Sequence, residues 1–508
     1  MSDPYFLSIL IFSPLLGMIV LAFVPKSMSS SLQTVGFLAT LLPLVLALIA
    51  FFRFDITAEQ LQFVTSVPWI EIGDRDVTRY SLVIHYALGV DGFSLLLILL
   101  TTIIATLAAA ASSKVKTELK GYYMLFLLLE IGMIGVFASQ NLLLFFAFFE
   151  MTLVPTYFLI AKWGYQGREK AANTFLIYNG LGSAVMLIAF IVLFTQTGTM
   201  NIGQLQAMDF TQLNPQIPIA NPAFRYGLLF ALLVAFGVKL PIFPLHSWML
   251  RVHKEAPVPT VMIHSGILLK IGAYGLIRFC MGFFPDAFAD FAYGLAILGL
   301  INLLYGAFVA FKQSDFKLVL AYSSVSHMGI VLLGLAALNA AGLQGAIFQV
   351  ISHGFISALL FFLVGVFYER TKTTELQHMG GLAKSMPRMS GFLLAAGLAS
   401  LGLPGMSGFI SEFMAFLGLF EERPVLAAIG TLGIILTAVY VLRAVMKITF
   451  GKTTQDSFGS YGDIRSAEIL PAAVMVGFII WIGVFPAILG RSLQFAMDSI
   501  LAGAALFY

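Results

Sequence analysis

The chain has a single cysteine, Cys280, among 508 residues, and only 10% of its residues carry charge. A lone thiol excludes an intrachain disulfide and cannot supply the four thiolates of an iron–sulfur cluster. No glycine-rich phosphate loop of the nucleotide-hydrolysing or dinucleotide-binding type occurs, which argues against nucleotide binding, and nothing points to nucleic acid. Long polar stretches are also scarce. Only 53–81 and 197–222 qualify, and neither is long enough for a separate folded domain, so residues 1–508 read as one membrane domain.

What fills the chain instead is apolar: 59% of the residues are hydrophobic, and the mean hydropathy is +0.95. Those values lie far outside the range of soluble domains. About 20 apolar residues cross the hydrocarbon core as a helix, and fourteen such stretches follow one another. They include span three at 82–111, span seven at 223–248 and span twelve at 387–420. The expected fold is therefore an all-α membrane protein of about fourteen transmembrane helices. The first span also reads as an uncleaved signal anchor. The tail 490–508, with Arg491 and Asp498 along it, reads as an interfacial helix.

Basic residues are shared unevenly between alternate loops. With the N-terminus outside, nineteen Lys and Arg fall in inside loops and seven, among them Arg75 and Arg79, in outside loops. That asymmetry predicts both termini facing away from the cytoplasm. Two spans are interrupted in similar ways, the seventh by KLPIFP (239–244) and the twelfth by LPGMSG (403–408). Proline removes a helix hydrogen bond, and freed backbone is tolerated at depth only where protein or water satisfies it. Breaks five spans apart predict two inverted five-helix repeats, about 121–281 and 287–450, with helices seven and twelve broken.

Few ionisable side chains lie within the spans: Glu130, Glu150, Lys239, Lys270, His327, His353 and Glu412. A charge at the bilayer centre costs about 2.5–3.5 kcal/mol, so each requires a role or a partner. Glu150 and Lys239 are expected to pair across spans five and seven, either as a static ion pair or as a proton-loading pair. Lys270 has no acidic neighbour in its own helix. His327 has Ser323 and Ser324 one turn before it, and Gln349, His353 and Ser357 follow at i, i+4 and i+8 in span eleven, giving polar stripes on single helix faces. The alternative for the histidines is ordinary packing. Taken in order, the residues from Glu150 to Glu412 would form a lateral polar axis able to move protons.

The segments that carry these residues resemble a known family. YALGVDGFSLLLILLT (86–101), FFEMTLVPTYFLIAKWG (148–164), VKLPIFPLHSW (238–248), GILLKIGAYGLIRF (266–279), SDFKLVLAYSSVSHMG (314–329) and LPGMSGFISEFM (403–414) are similar to the M-type, proton-translocating membrane subunits of respiratory complex I, which are related to Mrp-type antiporter subunits. The resemblance implies roles residue by residue: Glu150 and Lys239 as a gating pair, Lys270 as the central lysine, His327 and His353 as connecting groups, and Glu412 as the terminal proton site. It also implies that iron–sulfur clusters, flavin and quinone belong to partner subunits and that this chain holds no cofactor. Its partners would be other antiporter-like and small membrane subunits and membrane lipid. The carboxylate at 412 favours the M type, since related subunits carry lysine there. Arg251, where aspartate is common, and His264 depart from that pattern; an Mrp-type sodium/proton antiporter subunit is the alternative.

Overall fold

The computed structural model of the protein describes residues 4–72, 82–452 and 461–505. Among the described residues, thirteen helices are long and apolar enough to cross a membrane. The twelfth expected span completes the fourteen as two shorter helices, Pro387–Ser400 and Ser407–Glu422. The C-terminal tail is a further helix, Ala487–Ala505, packed against spans three and eleven. Arg75 and Arg79 lie outside the described residues.

The structure corrects one boundary. Span three begins at Gly92 rather than at 82, because residues 82–90 form a strand. This strand, β2 (Leu82–Val90), pairs antiparallel with β1 (Gln62–Ile72), from Gln62 opposite Val90 to Ile72 opposite Leu82. A short apolar run reads the same by hydropathy whether it is strand or helix. Asp91 marks the true start: its Oδ1 accepts the backbone N–H of Ser94 at 2.9 Å and caps the helix. Asn141, Asn221, Asp315 and Asn339 cap spans five, seven, ten and eleven in the same way.

Spans eight and eleven are the most deeply enclosed, with windows 100% buried, followed by spans three and ten at 89%. Helices buried all round cannot be amphipathic, which fits their near-continuous apolar sequence. Span eight is interrupted by two π-helical segments, His264–Leu268 and Leu276–Met281, on either side of Lys270. Such segments shift the register of the side chains that follow and concentrate at functional positions.

Both broken spans are present. Span seven ends at Lys239 and resumes as a helix over Ser247–Glu255. Asn302 of span nine satisfies the backbone freed between them: its Oδ1 accepts from Phe243 N at 2.7 Å and its Nδ2 donates to Pro241 O at 3.4 Å. Trp248 Nε1 donates to Val238 O at 3.1 Å. In the twelfth span Gly402 and Gly405 adopt φ of +75° and +90°, a region closed to most side chains, and allow the chain to turn between the half-helices. Replacing Asn302 by Leu takes the acceptor from the part-buried Phe243 N–H and is expected to cost about 1 kcal/mol or more. A lowered unfolding temperature of the detergent-solubilised chain reads this out, and an unchanged one would mean that the break finds its partners elsewhere.

Candidate functional site

The expected axis resolves into two parts of different character. In the second part the residues touch. Lys270 Nζ lies 2.7 Å from His353 Nδ1 and also donates to the carbonyl of Ser265. The His353 and His327 rings stand 5.4 Å apart, centroid to centroid. His327 Nδ1 lies 3.5 Å from Glu412 Oε1. Four side chains from spans eight, eleven, ten and twelve thus form one unbroken series, each at most 6% exposed.

The polar stripes read from the sequence surround this series. Gln349 Nε2 donates to His327 Nδ1 at 3.2 Å, and Ser411 donates to Gln349 Oε1. Ser400 Oγ lies 3.4 Å from His327 Nε2. Ser323 accepts from Tyr440 OH at 2.8 Å, a partner that span-by-span reading did not supply. Two small cavities flank the histidines. One is bordered by Ser324, His327, His353 and Ser357, the other by His327, Gln349, His353 and Glu412. Each leaves about 10 Å³ for the centre of a water-sized sphere, roughly the space of one water.

The position of His327 has a chemical consequence. Its Nδ1 faces both the amide of Gln349 and the carboxylate of Glu412. A neutral ring with a bare Nδ1 accepts from Gln349. Once Nδ1 carries a proton it can only donate, and the group in position to accept is Glu412. Similarly, the ammonium of Lys270 donates to a bare His353 Nδ1, so a proton on the lysine already points at its next carrier.

The first part differs from expectation. Glu150 and Lys239 do not form an ion pair: neither Glu150 Oε1 nor Lys239 Nζ has a hydrogen-bond partner. Lys239 instead lies between two rings, 4.9 Å from the centroid of Phe149 and 5.7 Å from that of Phe175. Adjacent helical residues point about 100° apart. With Phe149 turned to the lysine, Glu150 is out of ion-pair reach and half-buried, whereas Lys239 is 1% exposed.

Two further histidines occupy the ground between the lysines. His253 Nε2 and His264 Nδ1 are 3.0 Å apart and fully buried. The rings of Phe175 and Trp248 pack on His264 and that of Phe361 on His253. His253 Nδ1, Thr260 Oγ1, His264 Nε2 and Ser265 Oγ have no protein partner, and buried polar atoms of this kind are normally satisfied by water. The sequence did hold a signal: His264 precedes Lys270 by six residues in one span, and His253 follows the break in span seven. Arg251 sits away from this site, donating to Thr174 Oγ1 at 3.1 Å on the exposed flank. Glu130 also stands apart, fully buried in span four with neither carboxylate oxygen hydrogen-bonded.

Beyond His253 the same helix ends in Lys254 and Glu255 at a vestibule of about 890 Å³. Its wall includes Asp315 and Lys317, with Lys317 Nζ 3.8 Å above the ring of Tyr165.

Fourteen spans, two of them broken, with a buried Lys–His–His–Glu series at their centre, define a multi-pass, antiporter-like membrane subunit. The chain belongs to the family described as NADH:quinone oxidoreductase/Mrp antiporter transmembrane proteins, whose profile matches residues 139–437. It is 40% identical over 494 residues to NAD(P)H-quinone oxidoreductase chain 4 2 of Thermosynechococcus vestitus, covering 95% of this chain and 89% of that protein. It is 36% identical to NADH-quinone oxidoreductase subunit M of Rhodobacter capsulatus, covering 95% of this chain and 93% of that one. A chain of the respiratory complex I structure from Thermus thermophilus with bound NADH superposes with a TM-score of 0.85 at 30% identity, over 99% of this chain and all of that one.

Proposed function

We propose that this chain is a proton-translocating subunit in the membrane arm of a redox-driven NAD(P)H:quinone oxidoreductase, carrying protons through the buried Lys270–His353–His327–Glu412 series. The continuity of that series is the observation that carries the reading, since every neighbouring pair is in contact or borders a shared water-sized cavity. Static packing gives no reason to align four titratable groups from four spans.

In this reading a proton enters at the vestibule beside Glu255, passes the His253–His264 pair and loads Lys239 or Lys270. Lys270 then delivers it to His353 Nδ1, His327 takes it up through the intervening water, and Glu412 receives it from Nδ1. Glu150 acts on Lys239 through space, biasing its charge, because the two are not bonded. Moving a charge against 100 mV requires about 2.3 kcal/mol, and the energy comes from quinone reduction in partner subunits, to which we also assign flavin, iron–sulfur clusters and quinone. We assign the basic face to the cytoplasm of a bacterial plasma membrane, with both termini on the far side.

The test is redox-driven proton uptake by vesicles carrying the assembled complex. Lys239→Ala is expected to reduce uptake by about 10-fold or more, in the range typical of losing a positioned proton carrier. Iron–sulfur and quinone-site subunits should copurify with the chain. An assembly of small hydrophobic subunits alone, exchanging sodium for protons, would replace this reading with the antiporter one.

A further inference from the structure

The basic face carries a second cavity, of about 480 Å³, which adjoins the vestibule at Tyr165, Arg168 and Tyr368 but touches no member of the Lys270–His353–His327–Glu412 series. It is a crevice between helices rather than an open groove, formed by the ends of spans three, five and eleven and the beginnings of spans eight and fourteen. Its inner wall is apolar, with Ala110, Val258, Phe362, Val366 and Pro471. Its rim is strongly basic and carries Trp163 and Tyr165, the side chains that favour the boundary between hydrocarbon and headgroups.

The charges at this rim do not cancel. Its two carboxylates are already engaged: Glu369 pairs with Lys114, and Glu468 accepts from Lys114 at 2.9 Å and from Arg370 at 2.7 Å. Lys162 pairs with Glu118. Among the described residues, Lys116, Arg168, Lys372 and Arg465 have no carboxylate in ion-pair contact, although all four line the crevice. Uncompensated cations above an apolar wall, at the membrane boundary, suit a ligand that is anionic at one end and apolar at the other. Inorganic phosphate would satisfy only the rim.

We propose that this crevice binds an anionic phospholipid, its phosphate held by Lys116, Lys372 and Arg465 and its acyl chain laid along Ala110, Phe362 and Val366. Basic pockets between membrane helices recognise anionic headgroups by this combination. The bound lipid would fill the gap between spans three and eleven beside Lys114, tying the first half of the chain to the second. The proposal is independent of the proton-transfer reading.

The test uses the purified full-length chain, stripped of lipid, incubated with equal amounts of dioleoylphosphatidylglycerol and dioleoylphosphatidylcholine and examined by native mass spectrometry. The chain is expected to retain the anionic lipid about 10-fold better, and Lys116→Gln/Lys372→Gln/Arg465→Gln to lose that preference. Lys384→Gln/Arg388→Gln/Lys452→Gln removes the same charge from elsewhere and should keep it. Ala110→Trp, which fills the apolar wall and leaves the rim cations in place, should lose the lipid, with an unchanged unfolding temperature reporting an intact fold. Equal retention of the two lipids, an equal loss in the control triple variant, or displacement of the lipid by inorganic phosphate would overturn the proposal. So would occupation of the crevice by an acidic segment of a partner subunit in the assembled complex.

Discussion

Replacing Lys270 by methionine is expected to lower redox-driven proton uptake by about 100-fold, while the complex still assembles. Methionine has nearly the volume of the lysine stem and packs flexibly in an apolar core, so little stability is lost with the charge. What disappears is the donor 2.7 Å from His353 Nδ1, and with it the first step of the series. Lys270→Arg separates proton release from charge. Arginine keeps the positive charge but does not deprotonate in proteins, so it too should fail to pump. Uptake in Lys270→Arg close to wild type would mean that the position needs only a fixed charge, and the relay through His353 would be abandoned. Vesicle uptake with a pH-sensitive dye, normalised to assembled complex on native gels, gives the measurement.

The second large effect is expected at Glu412. Glutamine preserves the shape and much of the hydrogen bonding of glutamate but cannot accept a proton, so Glu412→Gln should cut uptake by about 10- to 100-fold. His327 would retain its bond from Gln349, leaving the neutral ring in place and the protonated ring with no group able to take its proton. Glu412→Asp keeps the carboxylate and should retain partial activity. If glutamine and aspartate prove equally active, the carboxylate is not the terminal carrier, and the proton leaves the series at or before His327.

Much of this arrangement was legible in the sequence because the relevant signals are local. Hydropathy marked the spans, and the KLPIFP and LPGMSG segments marked the two breaks, since proline and glycine alter the backbone at the place where they stand. Scarcity marked the carriers: in a chain this apolar, Lys270, His327, His353 and Glu412 are conspicuous wherever the helices pack. The stripe of Gln349, His353 and Ser357 followed from helical spacing alone, and in the structure Gln349 and His353 do reach the neighbouring groups. The strand at 82–90 was missed for the converse reason, because an apolar run carries no mark of its backbone conformation.

The contacts were decided elsewhere. Whether Glu150 or Phe149 faces Lys239 depends on the rotation of span five about its axis, and a step of one residue turns that choice by about 100°. Rotation is fixed by packing against several neighbours at once. Likewise, His253 meets His264 only because the chain resumes as a helix after the break in span seven and packs against spans six and ten, which brings its last turn to span eight. The sequence by itself determined that this is a multi-span membrane protein with two broken helices and a short series of buried titratable groups, since composition, hydropathy and helix breaking act within a few residues. The tertiary structure decided which of those groups touch, because proton transfer depends on distances of about 3 Å between different helices, and those are set by how the helices pack.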